Sequence, residues 1–450
     1  MAFKSHIAVL AFPFGSHAAP LLALVRRLAA SAPNALFSFF NSTASNAALF
    51  NAPTCDNLRA RDVWDGAPRG EPFMGSHFEA VGLFLEASPR NFETAIREAE
   101  RESGLEIRCL ISDAFLWFSS VVAEKRGVPW VPFWASSSFS LSAHVYTDQI
   151  VRSIESTETA KQEKALSFIP GLEMATMADL PPEVFLGNYA SPLEITLYKM
   201  VEHLPKSTAI LLNSFEEINP IITKDLKSKF PNFLNVGPSI LASPASPSAA
   251  ISDETGCLSW LGSQNRPRSV VYISFGSMIT PPESELAALC EALETCRFPF
   301  LWSIKDHAVR SLPNGFANRT NSFGKMVAWA PQPQILAHES VGAFVSHGGW
   351  NSILESIVGC VPMICRPFFG DHKLNSRMVQ DSWGIGVRVE GGVFTKSGTI
   401  ECLMELMTTE KGAKMRENVS LLRNKAVAAV DSQGSSSRNF DKLLEIIGAH

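Results

Sequence analysis

Short apolar runs recur along this chain, and each is followed by a helical pattern or a turn. Ile7–Phe12 reads as a strand, Pro20–Ala30 as a helix and Leu36–Phe40 as the next strand. Arg108–Ser112, Trp130–Phe133 and Ala209–Asn213 continue the series. Strands that are apolar along their whole length need cover on both faces, and intervening helices supply it. The pattern therefore predicts parallel sheet in an α/β fold. From Gly237 to Gly256 the alternation stops: GPSILASPASPSAAISDETG is rich in Pro, Ser and Ala, the composition of a linker. It resumes at Val270–Phe275, Phe300–Ile304, Met326–Trp329, Ala343–Ser346, Pro362–Cys365 and Gly386–Val389.

Two doubly wound domains follow from this reading, and a chain of 450 residues exceeds what one core usually holds. The expected boundaries are a first domain over 1–237, a linker over 238–256 and a second domain over 257–430. A C-terminal helix over 431–450, amphipathic around Phe440, Leu443, Leu444 and Ile447, is expected to brace the first domain. Ligands of doubly wound folds bind beyond the carboxyl ends of the strands, so the expected site is a cleft between the domains.

A net charge of −5 without a long basic run gives no reason to expect nucleic acid. No apolar segment reaches the ~20 residues that crossing a bilayer needs. MAFKSHIAVLAFPFGSH is broken by Pro13 and Gly15 and reads as a buried first strand, not a signal peptide. The eight cysteines show no CxxC pairing, so buried thiols in a reducing, cytoplasmic setting are expected. A monomer is the separate expectation for its assembly. Thirty Phe against four Tyr suggests deep apolar cavities as well as ordinary core.

The densest chemistry lies in Trp329–His372, which opens WAPQPQ and closes RPFFGDH. Trp329 precedes Ala330-Pro-Gln332-Pro at the edge of the second sheet. There its ring either stacks on a base, with the Ala330 backbone reading the base edge, or plugs the core. Gln332 is uninformative alone. The run Ala343–Ser346 leads into His347-Gly-Gly-Trp350-Asn351-Ser352, a glycine-rich turn into a helix. Its N–H groups and positive dipole end favour phosphate oxygens, and His347 and Ser352 add side-chain donors. Glu355 has two readings: with Ser352 it forms a capping box, or it accepts the two hydroxyls of a ribose. Asp371 and His372 follow the next strand at the same edge, where sugar hydroxyls belong. Ser277, after Ser274-Phe275-Gly276, marks a second candidate phosphate turn.

In the first domain, His17 follows the strand that ends at Phe12, and imidazole suits removal of a phenolic or alcoholic proton. Asp113 is delivered to the same edge by Arg108–Ser112. It either fixes the imidazole tautomer or caps the helix that starts at Ala114-Phe115. Many sugar-nucleotide enzymes hold the diphosphate through a metal on an Asp-x-Asp pair. None of the thirteen Asp residues has that spacing, so no metal is expected and helix-end and hydroxyl donors carry the phosphates.

Trp329–His372 resembles the signature box of plant small-molecule glycosyltransferases that use UDP-sugars. The match lies in WAPQ, HGGWNS (HCGWNS in most relatives) and the LES helix, and FPFGSHAAPLL and SDAF extend it through the first domain. FPFGSH, SAHVY, SVVYISFGS, RPFFGD and EGGVFTKSG resemble the flavonoid 3-O-glycosyltransferase branch. The resemblance implies a GT-B fold, two Rossmann-like domains facing across a cleft, and an inverting, metal-independent transfer. UDP-sugar is then a co-substrate, with no further cofactor, and the acceptor is a flavonol or anthocyanidin.

By the same resemblance His17 is the base and Asp113 its partner, Trp329 stacks on uracil and Glu355 holds the ribose. Ser277, His347, Asn351 and Ser352 bind the diphosphate, while Trp350, Asp371 and His372 meet the sugar. Ala330 and Gln332 complete the donor set, and Phe14, Phe115, His144 and Phe369 line the acceptor. Glucosyl-transferring relatives usually end the box in Gln. His372 is associated with galactose transfer, so UDP-galactose is the favoured donor and UDP-glucose the alternative. Ala135 stands where close relatives often carry a sugar-contacting Thr, and Ser136 is the candidate replacement for its hydroxyl. A non-catalytic flavonoid or nucleotide-sugar binder is the alternative from another class.

Overall fold

The computed structural model describes residues 3–51, 55–68, 73–155, 163–185, 191–242, 253–276 and 278–448 of the chain. Residues 243–252 of the expected linker over 238–256 lie outside these residues, as does Ser277. The chain divides into two compact units. One comprises Met1–Glu158, Pro182–Ser243 and Ala429–His450, the other Thr159–Pro181 and Pro244–Ala428.

In the first unit the described residues form a seven-stranded sheet. Its strands are β1 (Ser5–Leu10), β2 (Ala35–Ser42), β3 (Leu58–Val63), β4 (Ile107–Asp113), β5 (Trp130–Trp134), β6 (Ile210–Leu212) and β7 (Phe233–Asn235). They lie in the order β3-β2-β1-β4-β5-β6-β7, every pair parallel. Burial on both faces follows the period-two geometry of a strand. Ile7 and Val9 of β1 meet Leu21, Val25 and Leu28 on one face, whereas Ala8 and Leu10 meet Phe40, Phe84 and Ile96 on the other. β3 and β7 break the expectation that strands announce themselves as apolar runs. β3 is LRARDV at the sheet edge, with Arg59 and Ala60 exposed, and β7 is three residues long.

The last helix, Ser435–Ile446, joins the core of this first sheet through Phe440, Leu443 and the adjoining Ile447. The Arg27 guanidinium lies 3.6 Å above the Phe440 ring. Ser436 Oγ donates to the Gly237 carbonyl at 2.6 Å and Asn439 Nδ2 to the Asn235 carbonyl at 2.9 Å.

The second unit carries β8 (Val270–Ser274), β9 (Phe300–Ser303), β10 (Gly324–Val327), β11 (Val341–Ser346), β12 (Met363–Cys365) and β13 (Gly386–Arg388). Their order is β10-β9-β8-β11-β12-β13, again all parallel. Val271, Ile273, Ala343 and Val345 pack on the helices Glu283–Cys296 and Lys396–Thr408. A buried bidentate pair, Arg366 with Glu285, ties the loop after β12 to the first of these helices, and Glu285 also accepts from the Phe394 backbone N–H at 2.9 Å. Residues of the segment before Pro181 fold onto this unit: Asp179 accepts from Arg377 at 2.9 Å and from Arg388 at 3.2 Å.

Candidate active site

Both sheets reverse their strand order, the first between β1 and β4 and the second between β8 and β11. Loops leaving two neighbouring strands toward opposite faces open a crevice at their carboxyl ends. His17 and Asp113 lie at the first of these points and His347 at the second, while Trp329 follows β10 and Asp371 follows β12.

In the first unit the loop after β1 leads to His17, the residue preceding the helix Ala18–Ser31, and Asp113 is the last residue of β4. His17 Nδ1 stands 2.8 Å from Asp113 Oδ2, with side-chain exposures of 22% and 1%. A carboxylate only accepts, so Nδ1 is the donor, and in the neutral ring the lone pair is then on Nε2. Asp113 Oδ1 accepts from the Phe115 N–H at 2.9 Å. The second oxygen therefore caps a turn rather than a helix, since the next helix begins only at Ser119.

Aromatic rings surround this pair. Phe12 and Phe115 lie 5.1 Å and 4.7 Å from the His17 ring, and Phe14 packs edge-on against Phe12 at 5.3 Å. Trp134 lies 5.9 Å from Phe115 and 5.6 Å from His144. Phe14, Phe115 and His144 are thus joined in one aromatic chain beside His17, through Phe12 and Trp134. Part of the Phe excess serves this cluster.

In the second unit β8 runs into Phe275-Gly276 and β11 into His347. Gly276 has φ of +74°, and a Cβ there would stand 3.0 Å from His347 Cε1, so the backbone lies close against the imidazole. The helix Trp350–Gly359 follows with Gly349 at its N-cap. The N-terminus of a helix carries the positive end of its dipole, which favours an anion. Trp350 itself is buried, 6.4 Å from Trp383.

The capping-box reading of Ser352 and Glu355 fails. Because the helix begins at Trp350, Ser352 sits in its first turn rather than at the cap, and no side chain caps this terminus. Both residues instead face Gln332, whose Nε2 donates to Ser352 Oγ at 3.0 Å and to Glu355 Oε2 at 2.6 Å. Burial pushes the Glu355 carboxyl up to about 7, against a smaller lowering by the Gln332 bond.

Trp329 lies two residues beyond β10, not within it as the apolar run suggested, and is 63% exposed, whereas Ala330 is buried. The core-plug reading of Trp329 therefore fails. His372 is 7% exposed, its ring 4.8 Å from both His347 and Phe369. Burial holds His372 down to about 4. Burial and the neighbouring His372 hold His347 down to about 3, despite the opposing pull of Asp371. Asp371 Oδ2 accepts from Asn375 Nδ2 at 3.0 Å, and the same amide donates to the Gly348 carbonyl at 3.0 Å. The glycine turn and the Asp371-His372 loop are thereby joined. Phe369 is exposed at the rim of this second unit.

Among the described residues no group of three or more His, Cys, Asp or Glu is placed to hold a metal, and no helix is long and apolar enough to cross a membrane. Residues 73–431 match the profile of the family described as UDP-glucoronosyl and UDP-glucosyl transferase. The chain belongs to that family. It is a UDP-glycosyltransferase with the GT-B fold.

Its similarity to individual proteins extends over nearly its whole length. The transferase is 53% identical over 446 residues to a flavonol 3-O-glucosyltransferase of Actinidia chinensis var. chinensis, covering 98% of this chain and 96% of that one. It is 49% identical over 449 residues to an anthocyanidin 3-O-galactosyltransferase of the same plant, covering 99% and 98%. The crystal structure of UDP-glucose: anthocyanidin 3-O-glucosyltransferase in complex with UDP superimposes with a TM-score of 0.93 at 39% identity, covering all of both chains.

Several residues beside these sites escape sequence reasoning about the transferase. Phe12, the first residue of FPFGSH, reads as the end of a strand and Trp134 follows the run Trp130–Phe133; only the pairing of β1, β4 and β5 brings them beside His17 and His144. Asn375 carries no motif. Tyr272, buried in β8, donates to Gln332 Oε1 at 3.2 Å across sixty positions of sequence; it lies within SVVYISFGS, but nothing in that motif points to the contact.

Proposed function

We propose that the transferase moves a hexose from a UDP-sugar to the 3-hydroxyl of a flavonol or anthocyanidin, inverting the anomeric carbon. The observation that carries this reading is the His17–Asp113 pair, a base with its tautomer set, ringed by aromatic side chains. His17 Nε2 takes the acceptor's hydroxyl proton, and Asp113 stabilises the imidazolium that forms. The oxygen attacks the anomeric carbon as the bond to UDP breaks, through an oxocarbenium-like transition state. Phe14, Phe115, His144 and Phe369 contact the acceptor. The 3-O regiochemistry is supported by the relatives at 53% and 49% identity, both of which act at that position.

Trp329 stacks on the uracil, the Ala330 backbone reads its edge, and Glu355 and Gln332 hold the ribose. His347, Asn351, Ser352 and the helix terminus take the diphosphate with Ser277, without a metal. Trp350, Asp371 and His372 meet the hexose. A buried imidazole that stays neutral offers one donor and one acceptor to the sugar, and His372 favours UDP-galactose on the resemblance. The flavonol 3-O-glucosyltransferase relative at 53% identity favours the second reading, UDP-glucose as the main donor.

The test is incubation with UDP-galactose and UDP-glucose, separately, against quercetin and kaempferol, with products resolved by mass spectrometry and NMR. A β-3-O-galactoside formed faster than the glucoside is expected. Faster glucoside formation overturns the galactose preference, a different ring position overturns the regiochemistry, and no transfer from either donor overturns the whole assignment.

A further inference from the structure

Gln332 is the centre of a hydrogen-bonded relay that begins in the floor of the second sheet. Tyr272 lies on β8, 1% exposed, with its ring stacked at 5.1 Å on Phe344 of the neighbouring β11. Its hydroxyl donates to Gln332 Oε1 at 3.2 Å, while Gln332 Nε2 serves Ser352 Oγ and Glu355 Oε2. A terminal amide has two distinct ends, one that accepts and one that donates. Turned over, Gln332 would set its carbonyl against the Glu355 carboxylate, two acceptors with no proton between them. A phenol held by a β-strand and a stacked ring is a fixed donor, and burial raises its pKa so that it keeps its proton.

We infer that Tyr272 is a positioning residue for the nucleotide-sugar: its hydroxyl sets the sense of the Gln332 amide and so holds the Glu355 carboxylate ready for the vicinal diol of the ribose. Tyr272 touches no substrate in this scheme. The inference rests on the reading, given above, that Glu355 takes the ribose.

Tyr272→Phe keeps the ring and its stacking and removes the hydroxyl, with its bond to Gln332 and its contact with Ser274. The probes are UDP and its 2′,3′-dideoxy analogue, titrated calorimetrically, together with steady-state kinetics in the sugar donor. Loss of one hydrogen bond's worth of organisation predicts a UDP Kd and donor KM raised about three- to tenfold, with kcat at saturating donor changed less than twofold. Discrimination between UDP and the dideoxy analogue should fall by the same factor. In a Gln332→Met background, which cuts the relay from its other end, Tyr272→Phe should add less than a further twofold.

A Tyr272→Phe protein that discriminates the two nucleotides as the wild type does overturns the inference. So does a lowered melting temperature or kcat with unchanged KM, which is the signature of a packing role. Glu355→Ala separates the underlying reading. If that variant binds UDP and the dideoxy analogue as the wild type does, the ribose assignment falls, whatever Tyr272 does. If it loses discrimination while Tyr272→Phe does not, the positioning role alone falls.

Discussion

Asp113 spends one carboxylate oxygen on His17 Nδ1 at 2.8 Å and the other on the Phe115 N–H at 2.9 Å. A single buried side chain thus holds the imidazole and fixes the backbone that carries the Phe115 ring. His17→Ala should lower kcat by at least about a hundredfold, the usual contribution of a positioned base, with the UDP Kd within twofold of wild type. Asp113→Asn keeps the shape but offers a neutral amide to Nδ1, so kcat should fall by a similar order while donor KM stays put. Full activity in the His17→Ala protein would remove His17 from the role of base.

Glu355 gives the transferase a titration near neutrality. Its carboxyl stands at about 7 in the folded protein, above the ordinary 4.5. On the proposed ribose contact only the ionised form can accept both hydroxyls, so UDP affinity should be flat above about pH 8 and weaken as pH falls through 7. The limit is about tenfold per pH unit, and Glu355→Gln should flatten the profile. Stability runs the other way. A raised carboxyl pKa contributes stability that is fully present below 4.5 and lost as pH rises through 7. Glu355→Gln should therefore melt higher than wild type at pH 8, by the equivalent of up to roughly 3 kcal/mol. Titration calorimetry and thermal melts between pH 5 and 9 check both signs.

His347 and His372 bring an acid liability. Both imidazoles lie below their ordinary 6.5, at about 3 and about 4. Histidines depressed on folding contribute stability that is present above 6.5 and lost as pH falls through the folded values, because the unfolded chain binds the protons first. The melting temperature should decline steadily from pH 6.5 toward 4. His372→Gln should reduce that slope by up to one proton's worth.

The same substitution tests sugar choice. Glucose and galactose differ at one hydroxyl, and a single fitted hydrogen bond separates them by about 1–2 kcal/mol. His372→Gln should shift the ratio of kcat/KM for UDP-glucose over UDP-galactose upward by about tenfold. An unchanged ratio would mean that the last residue of the signature stretch does not select the sugar.

Glu285 meets Arg366 within the second core, and no other buried acidic side chain is bonded to that guanidinium among the described residues. Glu285→Ala leaves a buried cation without its partner and should destabilise the protein by about 3–5 kcal/mol in denaturant melts. Arg366→Met in the same background should recover part of the loss.

Much of the architecture was legible because fully buried parallel strands leave continuous apolar runs, as at β1, β4, β8 and β11. The runs fail where burial fails: β3 alternates Leu58 and Val63 with Arg59, Arg61 and Asp62, and nothing in that pattern distinguishes an edge strand from a loop. His17 and Asp113 could each be assigned to a sheet edge, yet their 2.8 Å contact depends on β1 pairing with β4, a relation between segments a hundred residues apart. The misreading of Ser352 and Glu355 has a similar origin. Spacing along one helix suggested a local cap, while the true partner, Gln332, arrives from a separate turn after β10. Local signals report the elements, and hydrogen bonds between distant elements decide what the side chains do.

The helix Ser435–Ile446 finishes the core of a sheet whose first strand begins at Ser5. During synthesis that core stays open while the whole of Pro244–Ala428 is made, roughly ten to forty seconds at ordinary translation rates. Through that interval Phe440, Leu443 and Ile447, which belong to the same core cluster as Leu21, Leu24 and Leu28, are not yet made. The unit that holds β1 is thus closed only by the helix Ser435–Ile446, after the other unit has been made.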